Sequence, residues 1–203
     1  WLPDAMAGPS PASALIHAAT MVPAGVYLLA RMHPLLDLAP AVRSLVAATG
    51  CATMLLAGLS ALAQRDLKRV LAYSTISQIG YMFLAIGVGA YVAAAAHFLT
   101  HALFKSALFL GAGVLIHCLR EGHDIFEMGG LRRTMPSVGR AFLMALMTLA
   151  AVPPLTATFN SKDMIVHQVW HSQAGGPVLW AGAVLGTLVT AAYAFRLFFV
   201  VFC

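Results

Sequence analysis

The chain has 203 residues, of which 61% are hydrophobic and only 9% charged, with a formal net charge of +5 and a mean hydropathy of +0.85. A soluble domain of this length needs many more charged side chains to cover its surface, so the composition excludes one and points to a membrane protein. No basic cluster is interleaved with aromatics as in a nucleic-acid interface, so the reading excludes nucleic acid as a partner and takes the positive balance as a signal of orientation.

Six apolar segments follow in chain order, at about 11–30, 42–62, 70–88, 91–118, 138–170 and 178–203. Each is expected to be helical, because irregular backbone is not tolerated against lipid. The expected fold is an all-α polytopic bundle of six transmembrane spans, forming a single membrane domain over 1–203. There is no initiator methionine, basic leader or cleavage site at the start, and the last segment reaches Cys203 without a polar stop. The chain therefore reads as an internal piece of a longer protein.

Loop charges orient the spans. Arg65, Lys68 and Arg69 fall between the second and third segments, and Arg120, Arg132, Arg133 and Arg140 between the fourth and fifth. The opposite side carries only Arg31 and Arg43. Because Lys and Arg concentrate in loops that stay in the cytoplasm, Trp1 and the loop 121–136 are expected there, with the first span running outward.

In the fourth segment His97, His101 and Lys105 are spaced i, i+4, i+8, which stacks them on one helical face. A lysine near the centre of a membrane helix costs about 2.5 to 3.5 kcal/mol on insertion scales and marks a functional position. Lys105 lies about 20 Å from either end of its segment at a helical rise of 1.5 Å per residue, too deep to snorkel out easily. Histidine changes charge near neutral pH unaided, whereas a lysine carrier needs desolvation to do so. The trio is a candidate proton path.

The fifth segment is longer than the roughly 20 residues that one crossing needs, and Pro153-Pro154 interrupt it. Two prolines remove two backbone donors and disfavour a helical residue before them. A discontinuous helix is expected, with Thr156, Thr158 and Asn160 helping to satisfy the freed groups and Lys162 and Asp163 just beyond. Transporters build ion sites at such breaks. An ordinary proline kink with Lys162 at a helix end is the alternative.

The rest of the chain is quieter. Ser74, Thr75, Ser77 and Gln78 give the third segment a polar strip that can bond neighbouring helices or hold water, and Gly80, Gly87, Gly111 and Gly113 permit close backbone approach. Cys51, Cys118 and Cys203 are far apart and predict neither a disulfide nor a metal or iron–sulfur site. No phosphate-cradling glycine loop or nucleophile triad is present, so no cofactor is expected in this chain. Arg196 reads as a snorkelling anchor near the end of the last segment. Lys68 is open to two readings, an orienting charge beside Arg65 and Arg69 or a buried relay, and His17 to a packing role or a functional one.

The strings WLPDAMAGPSPASALIHAATMV (1–22), DLKRVLAYSTISQIGYM (66–82), HFLTHALFKSALF (97–109), MGGLRRTMP (128–136) and NSKD (160–163) resemble, in order and over nearly the whole chain, the family of antiporter-like subunit L of proton-translocating NADH-quinone oxidoreductase, respiratory complex I, which is related to Mrp cation/proton antiporter subunits. The resemblance implies inverted five-helix repeats with one discontinuous helix each, the chain holding the last helix of the first repeat and all of the second. It also implies a polar axis through the membrane interior made by His17, Lys68, His97, His101, Lys105, Lys162 and Asp163. Implied partners are other membrane-arm subunits, the lipid bilayer, internal waters and protons, in a bacterial inner (plasma) membrane. The implied activity is proton translocation as a subunit of the oxidoreductase, with redox chemistry in other subunits. The alternatives are an Mrp-type antiporter subunit, a membrane subunit of an energy-coupling hydrogenase or inorganic-carbon uptake complex, and a purely structural scaffold. The chain departs from the family pattern at Met164, where an acidic residue is usual, and at Thr158, Asn160 and Pro23.

Overall fold

The computed structural model describes residues 2–119 and 122–203. Trp1, Arg120 and Glu121, which entered the orientation above, lie outside the described residues. A 3-10 turn at Asp4–Ala7 leads into α1 (Ser10–Ala18), α2 (Ala24–Arg31), α3 (His33–Asp37), α4 (Pro40–Ala63), α5 (Leu67–Gly87) and α6 (Tyr91–Cys118). Then follow α7 (Leu131–Thr134), α8 (Pro136–Ala150), α9 (Ala157–His171) and α10 (Pro177–Phe202). Among the described residues there is no strand, only an isolated antiparallel bridge between Asp66 and Asp124. The fold is all-α, and it is a membrane protein's.

Proline in the first turn opens α1, α3, α4, α8 and α10, where its missing N–H has no intrahelical partner to lose. Asp66 caps α5, its carboxylate accepting from the Arg69 N–H at 2.9 Å. Asp66→Ala is expected to lower stability by about 1 kcal/mol, read as a lower thermal midpoint in detergent.

The six-span expectation needs correcting in one respect. Four helices, α4, α5, α6 and α10, are each long and apolar enough to cross a membrane; the first and fifth segments are each divided into two shorter helices. The fifth breaks where the prolines required it. Helix α8 ends with Ala151 in the left-handed region (φ 58°), Pro153-Pro154 follow, and α9 starts after an extended Thr156. Thr156 does donate to a freed carbonyl, that of Val152, at 3.1 Å. Thr158 Oγ1 is buried without a partner and Asn160 is exposed, so neither serves the break as expected.

The first segment's break was not expected. Pro23 has no N–H to bond back toward Ala19 and disfavours a helical Val22, so α1 stops at Ala18 and α2 restarts after Pro23. Thr20 donates to the Leu15 carbonyl at 2.9 Å, beside the Ala19 N–H that closes the last turn of α1.

Charges collect at the two ends of the bundle. At one end Arg69 pairs with Asp4 (3.8 Å) and Arg65 with Asp124 (3.3 Å), and the Leu67 N–H donates to the His123 carbonyl at 2.9 Å. The loops at 65–69 and 122–135 thus share an end with the N-terminal turn. At the other, Asp37 accepts from Arg43 (3.2 Å) and from the Tyr91 hydroxyl (2.8 Å).

The core is in two apolar clusters. One gathers Leu67, Leu71, Phe109, Phe142, Leu146, Tyr193 and Phe202 toward the 65–69 end. The second gathers Met54, Tyr81, Leu84, Ile86, Ile165 and Ala183 toward the other. Helices α4 and α5 approach closely in the second, because Gly50 and Gly80 face each other with no Cβ between them. Both clusters are aliphatic or aromatic; most of the buried polar residues lie at the junction between them.

Candidate functional site

That junction is a belt of buried polar side chains at mid-helix depth. Helix α5 contributes Ser74, Thr75, Ser77 and Gln78, α6 contributes His97, His101 and Lys105, α9 contributes Thr158, Ser161 and Lys162, and α10 contributes Thr190. Helical periodicity explains the α6 set, since a spacing of four keeps one face inward. All three of its titratable residues are fully buried (0%), as that spacing predicted.

Lys105 Nζ donates to Ser74 Oγ at 2.6 Å and to the Leu71 carbonyl at 3.1 Å. The Leu71 carbonyl also receives the hydroxyls of Ser74 and Thr75, each at 2.9 Å. A carbonyl has two lone pairs, so these donors compete, and the hydrogen bonds around Lys105 can be rearranged. His97 lies between α5 and α9, with Nε2 3.2 Å from Gln78 Oε1 and Nδ1 3.0 Å from Ser161 Oγ. His101 has no hydrogen bond of good geometry at either nitrogen; the Ala18 carbonyl at the end of α1 faces it. His17, in α1, is also fully buried with both nitrogens unpartnered, its ring against Phe109 at 4.8 Å between centroids.

Lys162 is placed by the break. Its Nζ donates at 3.0 Å to the carbonyl of Leu149, in the last turn of α8, where the helix leaves its final carbonyls free and its dipole favours a cation. The ammonium also lies 5.0 Å from the centroid of the Tyr81 ring, within cation–π range. Tyr81 is in turn fixed by its hydroxyl, which donates to the Ala183 carbonyl at 2.7 Å and meets Thr187 at 2.8 Å. Lys105 and Lys162 stand within electrostatic reach of each other. Among the described residues no carboxylate is buried, so neither lysine has a buried counter-ion.

Two predicted residues sit apart. Lys68 is buried at the 65–69 end, not in the belt; its Nζ donates to the Gly8 carbonyl at 3.0 Å and it lines an open cleft of about 730 Å³ with Ser10, His117 and His123. Asp163 is on the exposed face of α9 and forms no ion pair with Lys162, because neighbours on a helix point about 100° apart. It borders an apolar cleft of about 410 Å³ with Phe159, Val184, Leu188 and Phe195. Arg196 reaches the end of the bundle as its position suggested, donating to the Gln64 carbonyl at 3.3 Å and lying over Phe126.

Sequence reasoning missed Tyr81, Ser161, Thr190 and Tyr193 as members of this network. Gln78 donates through Nε2 to Tyr193 (3.2 Å) and Thr190 (3.4 Å) while its Oε1 faces His97. Polar residues inside an apolar helix are the available signal, and Thr190 and Tyr193, three apart in α10, carry it. Among the described residues no three His, Cys, Asp or Glu side chains gather as metal ligands.

Residues 1–190 match the family described as NADH:quinone oxidoreductase/Mrp antiporter, transmembrane. The chain belongs to this family. Among relatives in the NADH:quinone oxidoreductase/Mrp antiporter family, the NADH-quinone oxidoreductase subunit L of Pseudomonas aeruginosa is 54% identical over all of this chain and 32% of its own length. That of Escherichia coli is 53% identical over all of this chain and 33% of its own. The chain spans about a third of the length of these curated relatives. A solved Mrp complex from a Dietzia species aligns with a TM-score of 0.91 at 40% identity, over 98% of this chain and 22% of that one. The family's members named here are thus subunits of multi-subunit membrane assemblies.

Proposed function

We propose that the full-length protein is the proton-translocating antiporter-like subunit L of an NADH-quinone oxidoreductase in a bacterial inner membrane. Redox chemistry and its cofactors belong to other subunits, and the partners of this one are membrane-arm subunits, lipid, and internal waters and protons. One observation carries the reading: two buried lysines, Lys105 and Lys162, share a polar belt with His97 and His101 and, among the described residues, have no buried carboxylate to neutralise them. A lysine held only by neutral acceptors can exist charged or uncharged without leaving an orphan anion. Groups of that kind suit a carrier that loads and unloads a proton.

In this path the 65–69 end faces the cytoplasm, Lys68 and His17 stand on that side, and His101, Lys105 and His97 carry the proton to Lys162, with Asp163 at the rim. Moving one proton against 100 mV costs about 2.3 kcal/mol, an amount that a rearranged set of hydrogen bonds around one lysine can supply.

The closeness to the Mrp complex favours a second reading, a subunit of a cation/proton antiporter. Inside-out vesicles holding the whole complex separate the two. The proposal predicts NADH-driven, quinone-dependent acidification of the lumen that sodium does not affect. A pH change driven by a sodium gradient without NADH would favour the antiporter.

A further inference from the structure

We propose that Gln78 holds His97 in the Nε2–H tautomer, so that His97 takes up and gives back its second proton only at Nδ1, against Ser161 of α9. The proposal rests on reading the belt as a proton path and adds two positioning residues, Gln78 and Ser161, to it.

The tautomer follows from counting hydrogens. Thr190 Oγ1 donates to the Gly186 carbonyl at 2.7 Å, which uses its one hydrogen, so toward Gln78 it can only accept. The amide nitrogen of Gln78 must therefore face Thr190 (3.4 Å) and Tyr193 (3.2 Å). Amide orientation is fixed by such networks, and here it turns Gln78 Oε1 toward His97 Nε2 at 3.2 Å. An oxygen acceptor there needs an N–H opposite. In neutral His97 the remaining nitrogen, Nδ1, is then bare.

Ser161 completes the device. Its hydroxyl lies 3.0 Å from Nδ1 and 3.1 Å from the Thr158 carbonyl, and it has a single hydrogen to share between them. Against neutral His97 the hydroxyl donates to Nδ1. When a proton arrives on an internal water of the path, an O–H bond of that hydronium breaks as one N–H bond forms at Nδ1, leaving neutral water; the new N–H donates to Ser161 Oγ and the serine hydrogen turns to the Thr158 carbonyl. No bond of the protein breaks. The charge state of His97 on α6 is thereby registered on α9, at the residue preceding Lys162, while the Gln78 side stays unchanged.

The test uses the full-length protein in its native membrane complex, labelled with ¹⁵N-histidine in this subunit alone, with the His97 signals identified by their loss in His97→Asn. Neutral His97 is expected to carry its hydrogen on Nε2, to populate both tautomers in Gln78→Leu, and to return to Nε2–H in Gln78→Glu, which keeps an acceptor. NADH-driven pumping is expected to fall roughly tenfold or more in Ser161→Ala and to recover in Ser161→Thr, which keeps the hydroxyl. A wild-type Nδ1–H tautomer overturns the proposal, whether or not the serine variant assembles; so does full pumping by Ser161→Ala. Lys105→Ala run in parallel separates the two levels. If it pumps normally, the proton-path reading itself fails; if it is inactive while Ser161→Ala is not, only the His97 device fails.

Discussion

Lys105→Ala in the intact complex is expected to cut proton pumping by about a hundredfold, the low end of the range for a positioned proton-transfer group. The substitution deletes the ammonium that donates to Ser74 Oγ and the Leu71 carbonyl, and among the described residues no other titratable side chain bonds to those two acceptors. Loss of volume is a separate effect: alanine leaves a gap beside Leu108 and Phe109, which are fully buried, costing about 2 to 5 kcal/mol for a large-to-small change of this kind. Lys105→Met separates the two, since it refills the gap with an unbranched chain that cannot carry a proton. The expected outcome is an assembled, stable complex that oxidises NADH slowly and acidifies vesicles at background level, measured by a pH-sensitive dye. An assembled Lys105→Met complex with the normal proton-to-electron ratio would rule out the role given to Lys105.

Gly80→Val is expected to prevent assembly, although no titratable group is touched. A Cβ at Gly80 would stand 2.6 Å from the Met54 N and 2.7 Å from the Gly50 carbonyl oxygen. These are backbone atoms of α4, which cannot turn aside as a side chain can. Overpacking of a tight core costs about 1 to 3 kcal/mol even for small additions, so Gly80→Ala should already lower the thermal midpoint. The functional effect follows from what α5 carries: moving it away from α4 also shifts Ser74, Gln78 and Tyr81, which hold Lys105, His97 and Lys162. Recovery of normal amounts of folded complex from Gly80→Val would show that the two helices do not approach as described.

Much of this was legible in the sequence. A spacing of four between His97, His101 and Lys105 leaves only one helical face for all of them, and their burial follows from that. Tandem prolines at 153–154 leave the backbone no helical continuation, so the second break could be read directly. Pro23 carried the same signal singly, in a segment whose length gave no hint of a break. Tertiary partners were the hidden part. Nothing local tells that Leu149, thirteen positions before Lys162, ends a half-helix beside the ammonium, or that Gln78 meets Thr190 and Tyr193 across more than a hundred residues. Asp163 shows the converse: adjacency in sequence to Lys162 turns it about 100° around α9, onto the exposed side.

The bond from Lys162 to the end of α8 bears on how protons are counted. A lysine paired with a carboxylate shares its titration with that partner, and the pair binds protons with values that belong to neither group alone. The Leu149 carbonyl offers partial negative charge but has no protonation equilibrium of its own. That bond therefore gives Lys162 no second group to share its proton with; the charge it does feel is that of Lys105 on α6, within electrostatic reach. In the proposed path, stoichiometry would then be set by how the two lysines load in turn, not by a carboxylate that divides a charge with either.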